Sequence, residues 1–188
     1  MREPQPVALA RGRVHLEPWG PQHDSDLLAA ARDDEVWRWL PTHRPSTPAD
    51  FAELRQTHPG LPFAVVVDGR AQGSTSYLDV DVELGGLEVG WTWYARSLWS
   101  TEVNPTCKLL LLGHAFDDLG AERVTLKTDG ANTRSQAAIG KLGARYDGTL
   151  RHQRRRPDGT VRDTAFFSIL AEEWPGVREG LLARLGER

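Results

Sequence analysis

The segment from residue 87 to residue 143 holds the residues with the clearest chemical use. An alternating strand ends at Tyr94, a loop follows, and Asn104-Pro105 pairs a cap residue with a first-position proline at the start of a helix. The first turn of a helix has unpartnered backbone N–H groups and a partial positive charge. We therefore expect an anion site here, suited to a phosphate or pyrophosphate. Every α/β unit has such a junction, and the charge of Glu102 opposes an anion unless its side chain points away.

Other motifs of nucleotide, hydrolase and metal chemistry are absent from the sequence. The chain has no GxxxxGK[ST] loop, no GxGxxG after a strand and no GxSxG elbow. Its 6 histidines show neither HxH nor HExxH spacing, and with 1 cysteine we expect no metal site. Cys107 would lie near the helix start, where a thiol pKa is lowered, so a covalent route through its thiolate is conceivable. No histidine is placed to activate this thiol, which favours a small packed residue.

The composition is that of one ordinary globular domain. The 188 residues are 39% hydrophobic and 26% charged, and a chain of this length buries enough surface to fold without disulfides. A net charge of −3 at pH 7 excludes a generally basic nucleic-acid binder. The N-terminus has no apolar signal region, and no stretch approaches about 18 apolar residues. We therefore expect a cytoplasmic protein that does not enter membranes.

Hydrophobic periodicity predicts the elements that position the junction. Strands are predicted at about 13–17, 62–68, 72–82, 87–94, 123–128, 145–155 and 160–170, and helices at about 24–32, 33–40, 47–58, 104–120, 132–143 and 174–185. This order is typical of an α+β fold with a mixed sheet and helices packed on it. Residues 1–12 are predicted to be a loose tail.

Alternation in the strand at 87–94 predicts which side chains share a face. One face would carry Leu87, Val89, Trp91 and Trp93, and the other Glu88, Gly90, Thr92 and Tyr94. The tryptophans at 91, 93 and 99 could line a substrate pocket, although half-buried strand aromatics more often belong to a core.

Several ordered blocks resemble the GNAT superfamily of acyl-CoA-dependent N-acyltransferases, and more narrowly its RimJ/RimL branch. The blocks are Asn104-Pro-Thr-Cys-Lys-Leu-Leu-Leu-Leu-Gly-His-Ala-Phe, then Leu119-Gly-Ala-Glu-Arg-Val-Thr-Leu-Lys-Thr-Asp, then Asn132-Thr-Arg-Ser-Gln-Ala-Ala-Ile-Gly-Lys-Leu-Gly-Ala. The segments 147–151, 158–163, 167–170 and 173–175 also match that branch. The resemblance covers residues 87–176 well and the first half loosely.

The resemblance implies a single GNAT-like domain over residues 1–188. Its mixed central sheet would have about seven strands, with helices on both faces and a splay between the parallel strands 87–94 and 123–128. Acetyl-CoA, or another acyl-CoA, would be the co-substrate, and its pantetheine arm would lie in the gap. The implied cofactor-binding residues are Val89, Gly90, Trp91, Thr92, Ser100, Thr101, Val103, Asn104, Lys108, Asn132 and Ser135. The first four would pair with the pantetheine arm, residues 100–104 would hold the pyrophosphate, and Lys108 would add charge to the phosphates.

The sequence departs from the superfamily pattern at two places, and it offers one candidate for the general base. The loop from Arg96 to Asn104 lacks the glycines usual in the superfamily. Transfer to a primary amine requires loss of a proton, and Glu88 is the predicted base, with Asp79 and Asp81 as rivals and an exposed strand carboxylate as the alternative role. Many members carry a proton-donating tyrosine seven residues after the asparagine at 132, where this chain has Ile139. The predicted substitute is Ser135, whose hydroxyl could equally belong to the helix cap.

The acceptor implied by the resemblance is a small-molecule amine or a protein N-terminus, and a homodimer is a further expectation. A competing hypothesis is a non-catalytic GNAT-fold module. It would bind a protein or ribosomal partner through the basic run Arg151-His-Gln-Arg-Arg-Arg156. This run lies next to a predicted hairpin turn, where a solvated surface is the ordinary role of such residues.

Overall fold

Eight strands and six α-helices form the described part of the chain, residues 1–186, in this computed structural model. The strands are β1 (Leu9–Arg11), β2 (Val14–Pro18), β3 (Leu61–Val67), β4 (Arg70–Asp81), β5 (Gly86–Tyr94), β6 (Arg123–Asp129), β7 (Arg145–Arg155) and β8 (Val161–Leu170). The helices are α1 (Asp24–Ala30), α2 (Asp34–Trp37), α3 (Pro48–Gln56), α4 (Val103–Gly113), α5 (Thr133–Leu142) and α6 (Trp174–Arg184). These elements follow the predicted order. The cap predicted at Asn104 is wrong: α4 begins at Val103, no side chain caps its start, and the Asn104 side chain instead accepts from the Tyr94 hydroxyl at 3.1 Å. None of the described helices is long and apolar enough to cross a membrane.

All of these strands lie in one mixed sheet, in the order β1-β2-β3-β4-β5-β6-β8-β7. Neighbouring strands are antiparallel except β5 and β6, which run parallel at the centre. Their ladder ends after three residue pairs, the last joining Glu88 and Thr125. β6 remains paired with β8 as far as Asp129. Beyond Glu88 the sheet therefore parts between two central parallel strands, which confirms the predicted splay.

One extra residue in β5 forms a bulge opposite β4. Ser76 pairs with Gly90, and Ser74 pairs with Trp93. Between these two pairs β4 advances by two residues and β5 by three, so β5 has one extra residue. Trp91 lies within the bulge and has φ +48°, a left-handed conformation that is rare for a bulky side chain. A bulge of this kind bends the strand and disrupts the ladder locally.

The bulge corrects the predicted faces of β5, because an inserted residue reverses the side-chain alternation beyond it. Leu87 and Val89 share one core cluster with Tyr94, which was predicted to lie on the opposite face. Trp93 lies in the second cluster, away from Leu87. Strict alternation therefore holds only before the bulge.

Helices cover both faces of the sheet, as predicted. α4, α5 and α6 contribute to the larger core cluster, on what we call the α4 face, with the fully buried Leu111 and Leu112 at its centre. α1, α2 and α3 cover the opposite face, which we call the α1 face. There Trp37 packs against Trp93 with ring centroids 4.9 Å apart, and Phe51 packs against both.

The first residues are not the loose tail that the sequence predicted. Residues 9–11 form β1 at the edge of the sheet, which brings the strand count to eight rather than about seven. The Met1 ammonium donates to the Val82 carbonyl at 3.1 Å, and the Arg2 amide donates to the Leu119 carbonyl at 2.8 Å. Val7 and Leu9 pack against the larger core cluster, so apolar side chains hold this segment down.

Candidate active site

A cavity of about 910 Å³ opens where β5 and β6 part. It brings together nearly all of the predicted site residues, which are Glu88, Val89, Gly90, Trp91, Thr92, Ser100, Thr101, Asn104, Lys108, Asn132 and Ser135. Val103 does not line the cavity, because its side chain is fully buried in the larger core cluster. Val103 can therefore contribute only through its backbone.

The loop before α4 is arranged so that its acidic residue faces away from the helix start. Glu102 accepts hydrogen bonds from the Arg13 guanidinium at 2.9 Å, in the turn between β1 and β2. Ser100 has φ +62° and takes the left-handed conformation that glycine usually supplies. The Val103 amide donates to the Thr101 hydroxyl at 3.3 Å. In the described chain the Asn104 amide has no acceptor, so it is available to an anion.

Cationic side chains surround the same side of the cavity. Arg134, Lys141 and Arg184 line it from α5 and α6. The guanidinium of Arg134 lies 3.5 Å from the ring centroid of Trp99, and that of Arg96 lies 4.0 Å from it. Cation–π contact with the indole stabilises two like charges at this site. The α4 face therefore offers positive charge beside a free helix-start amide.

Lys108 lies deeper than the predicted phosphate role requires. Its residue is 8% exposed, and its ammonium donates to the Thr92 hydroxyl on β5 at 3.3 Å. Thr92 in turn shares a hydrogen bond of 2.8 Å with Thr75. No carboxylate in residues 1–186 lies within ion-pair distance of this ammonium. Burial lowers the pKa of Lys108 to about 8.

Glu88 lies on the α1 face, and it is buried rather than an exposed strand carboxylate. The residue is 8% exposed, and its carboxylate lies 2.7 Å from the Lys127 ammonium. Lys127 also pairs with Asp79 at 2.6 Å. Burial raises the pKa of Glu88, while the Lys127 hydrogen bond opposes that rise without cancelling it. A carboxylate held in this way accepts a proton more readily than a solvated one.

The rivals for the base are less suitably placed. The Asp79 side chain is 70% exposed, and its hydrogen bond with Lys127 lowers its pKa. Asp81 accepts from the Leu84 amide at 2.8 Å in a turn and does not line the cavity. Gly90 leaves room for Glu88, since a side chain at this position would displace the Glu88 carboxylate and the end of the Leu78 side chain.

The start of α5 separates the two roles considered for Ser135. The Asn132 side chain caps the helix by accepting from the Ser135 amide at 3.0 Å. The cap therefore uses the amide of Ser135, and the Ser135 hydroxyl has no hydrogen-bond partner in the described residues. Ile139 is 8% exposed and lines the cavity, so an apolar side chain occupies the position expected for the usual tyrosine.

The expected low pKa of Cys107 is wrong. The residue is fully buried, and burial raises the pKa of its thiol to about 12 despite its place in the first turns of α4. It lies in the larger core cluster, as a small packed residue. An acyl-cysteine route therefore has no support here.

Sequence reasoning missed several residues of the α1 face. Lys127 was not singled out, although its place on the parallel strand beside Glu88 was a usable signal. His58 packs edge-on against Trp91 with ring centroids 4.8 Å apart, and burial lowers the pKa of His58 to about 4. Arg154 and Arg162 line the cavity from β7 and β8. No group of three metal-ligating side chains is placed for an ion in the part of the chain that the structure describes.

Comparison with known proteins places the chain beside acetyltransferases. The family described as Acetyltransferase (GNAT) domain matches residues 13–145, which is more than half of the chain. A Bacillus subtilis (strain 168) protein named as a ribosomal N-acetyltransferase, YdaF, is 22% identical over 170 residues. That match covers 86% of this chain and 91% of the relative.

Solved structures share the fold over nearly the full length. A protein from T. thermophilus, described as an acetyltransferase, is 37% identical with a TM-score of 0.89, covering 97% of this chain and 99% of that one. Mycobacterium smegmatis RimJ, solved in complex with CoA-disulfide, has a TM-score of 0.79 at 22% identity, covering 100% of this chain and 98% of that one. At that identity the likeness to RimJ concerns the fold alone.

Proposed function

The chain belongs to the GNAT family of acetyltransferases, and we propose that it transfers an acetyl group, or another acyl group, from acyl-CoA to a primary amine. The amine would attack the thioester directly while both substrates are bound. One observation carries the proposal: a cavity opens where β5 and β6 part, with proton-binding groups on both faces of the sheet. Holding two reactants together in this way removes much of the entropic cost of their encounter.

The α4 face has the features that a bound acyl-CoA would use. Beyond Glu88, β5 has no ladder partner on its β6 side, so its backbone groups at Val89–Thr92 are available to the amides of a pantetheine arm. The free Asn104 amide and the cationic lining from α5 and α6 suit the phosphates. Acyl-CoA would supply the activated acyl group as a thioester. RimJ, a relative in fold, was solved with a CoA compound, which agrees with this assignment.

Glu88 is the proposed base. An amine is protonated near neutral pH and must lose a proton before it can attack. The raised pKa of the buried Glu88 brings this carboxylate closer to neutral pH, where a general base is most effective. Lys127 keeps the carboxylate oriented and favours its charged form through the ion pair of 2.7 Å.

Two groups on the α4 face could return a proton to the departing sulfur. Ser135 is the first candidate, since its hydroxyl faces no other described partner and the residue lines the cavity. Lys108 is the second, because its ammonium is buried in the cavity wall and its pKa of about 8 makes it a competent acid. Water is the third route, and it would need neither side chain.

The acceptor is proposed to be a small-molecule amine or a protein N-terminus. The name of the YdaF relative, a ribosomal N-acetyltransferase, supports the second of these. A cytoplasmic location and a homodimeric state belong to the same proposal; a ribosomal acceptor, as the name of the YdaF relative indicates, would agree with the first of them.

Calorimetric titration with acetyl-CoA tests the function most directly. We expect saturable binding below millimolar concentration and release of free thiol when an amine acceptor is added. Trp99→Ala is expected to weaken binding, because the indole supports Arg134 and Arg96. Absence of binding at millimolar acetyl-CoA would overturn the proposal.

The proton donor is tested by single-turnover rates. If Ser135 is the acid, Ser135→Ala should lower kcat at least about a hundredfold without changing the Kd for acetyl-CoA. Its melting temperature should stay the same, because the cap uses the amide. Ile139→Tyr should then restore part of the lost rate. A loss seen only with Lys108→Met would assign the role to the lysine, and unchanged rates in both variants would leave it to water.

A further inference from the structure

Two arginines lie directly opposite each other on the hairpin formed by β7 and β8. Arg154 pairs with Arg162 across the antiparallel ladder, so the two side chains point to the same face. Both line the cavity. Since Ala165 and Phe167 of β8 lie in the cluster on the α4 face, the even-numbered Arg162 points to the α1 face, where Glu88 lies.

This pair lacks the acidic partners that other arginines of the region have. Arg156 is held by Asp129 at 2.7 Å and Arg123 by Asp147 at 2.7 Å. Within residues 1–186 neither Arg154 nor Arg162 has a carboxylate within ion-pair distance, although Arg162 donates to the Thr164 hydroxyl at 3.1 Å. Like charges directly opposite on two strands are destabilising.

The other charges on this face offset the pair only in part. Lys127 pairs with both Glu88 and Asp79, so these three groups together carry one net negative charge. Burial lowers the pKa of the half-buried Arg162; the charge of Asp129 opposes this shift without cancelling it, and the charge of Arg154 adds to it. The two guanidiniums therefore form an anion site next to the proposed base. Guanidinium groups bind a carboxylate through paired, charge-assisted hydrogen bonds.

We propose that the acceptor amine carries a carboxylate close to its nitrogen, which Arg154 and Arg162 bind while the nitrogen faces Glu88. This inference rests on the proposed function and adds the substrate class to it. Arg154 of the basic run is thus a specificity element of the acceptor site, together with Arg162 on the facing strand. The carboxylate could be the amine's own, as in a free amino acid, or that of an acidic side chain next to a peptide N-terminus.

Two matched pairs of acceptors test the inference and distinguish the two sources. Glycine is compared with glycinamide, and the amidated peptide Ser-Asp-Ala with Ser-Asn-Ala, by thiol release from acetyl-CoA. We expect the carboxylate member of one pair to have at least about a tenfold higher kcat/KM, mainly through a lower KM. The pair that shows the preference identifies the source.

Variants of the hairpin complete the test. In the double variant Arg154→Gln, Arg162→Gln the preference should disappear, while the Kd for acetyl-CoA stays close to that of the unmodified protein. Its melting temperature should be no lower, because a repulsive pair is removed. Arg155→Gln is the matched control, because Arg155 lies one residue away, donates to the Gly159 carbonyl and does not line the cavity. Arg154→Lys should keep part of the preference.

The outcomes separate this inference from the proposed function. Equal rates with both members of each pair, or a preference that survives in the double variant, would overturn the inference and leave acyl transfer standing. If none of the four amines caused thiol release in a protein that binds acetyl-CoA, the inference would also be overturned. Failure to bind acetyl-CoA at all would instead overturn the proposed function.

Discussion

Lys108 and Lys127 lie beside the gap between β5 and β6, one on each face of the sheet, and their electrostatic surroundings differ. Lys108 reaches β5 from the α4 face, where its hydrogen-bond partner among residues 1–186 is the Thr92 hydroxyl. Burial lowers its pKa to about 8, and the charge of Glu88 opposes that shift without cancelling it. Lys127 lies on the α1 face between Asp79 and Glu88. Burial also opposes its charge, but hydrogen bonds to the two carboxylates outweigh that cost and raise its pKa.

The difference reflects both depth and neighbours. Lys108 is the more deeply buried of the two, and within residues 1–186 only Lys127 has carboxylates in contact. On the α1 face a buried carboxylate with a raised pKa lies beside a cation, and on the α4 face a buried cation has a lowered pKa. This arrangement agrees with the opposite proton movements that the proposed reaction requires on the two faces.

Removing the carboxylate of the α1 face should have the largest effect. Glu88→Gln keeps the shape of the side chain but cannot accept a proton, so we expect kcat to fall about 10²- to 10⁴-fold. Thiol release with a saturating amine measures it. Asp79→Asn is the control and should cost far less, because Asp79 is largely exposed. A similar loss in both variants would show that the ion network, and not Glu88 alone, acts as the base.

Removing the cation of the α1 face should move the pH profile. In Lys127→Met the buried Glu88 loses its partner, so burial is no longer opposed and its pKa rises further. Since activity needs the ionised carboxylate, it is lost as pH falls through that pKa, and the acidic limb of kcat/KM should move to higher pH. On that limb, each pH unit by which it moves should lower the activity at a given pH about tenfold. An unmoved limb would contradict the base role of Glu88.

Removing the cation of the α4 face should stabilise the protein. The folded pKa of Lys108 lies below its unfolded value of 10.5, so its charge costs stability below about pH 8, and that cost disappears as pH rises towards 10.5. Lys108→Met should therefore raise the free energy of unfolding by about 2 kcal/mol at pH 7. Urea melts at pH 7 and pH 10 measure the difference, which should narrow at the higher pH. Equal differences at both values would contradict a charged Lys108.

The smallest effect is expected at the hydroxyl that Lys108 contacts. Thr92→Val keeps the side-chain shape but removes the acceptor of the Lys108 ammonium and the bond to Thr75. We expect a loss of about 1 kcal/mol at pH 7, measured by thermal melting. The double variant with Lys108→Met should lose less, because no ammonium then lacks an acceptor. Full additivity would mean that the 3.3 Å contact contributes nothing.

The order of elements could be predicted because it depends on local signals. The cap at Asn132 and the alternation of β6 each act within a few residues, and the structure follows them. The start predicted at Asn104 is displaced, because α4 already begins at Val103. The tail at residues 1–12 was mispredicted, because its contacts lie far along the chain, at Val82 and Leu119.

The site was predictable in its backbone but not in its charges. The bulge at Trp91 has no sequence signal of its own, since a bulky residue at φ +48° is unusual. The ion network joins β4, β5 and β6, and no spacing rule connects Asp79, Glu88 and Lys127. Lys108 could be assigned to the helix start, but only packing shows that it points back towards β5.

Because the thiol of Cys107 is buried, one thiol-reactive dye can follow both the release of CoA and the local opening of α4. Cys107 is the chain's single cysteine. Its side chain is buried on the inner side of α4, and its thiol is almost entirely protonated at neutral pH. Thiol-trapping dyes should therefore count released CoA against a silent background. The same dyes would label Cys107 only when α4 moves away from the sheet. The labelling rate therefore reports how often this local opening occurs, and it can be measured with and without acetyl-CoA.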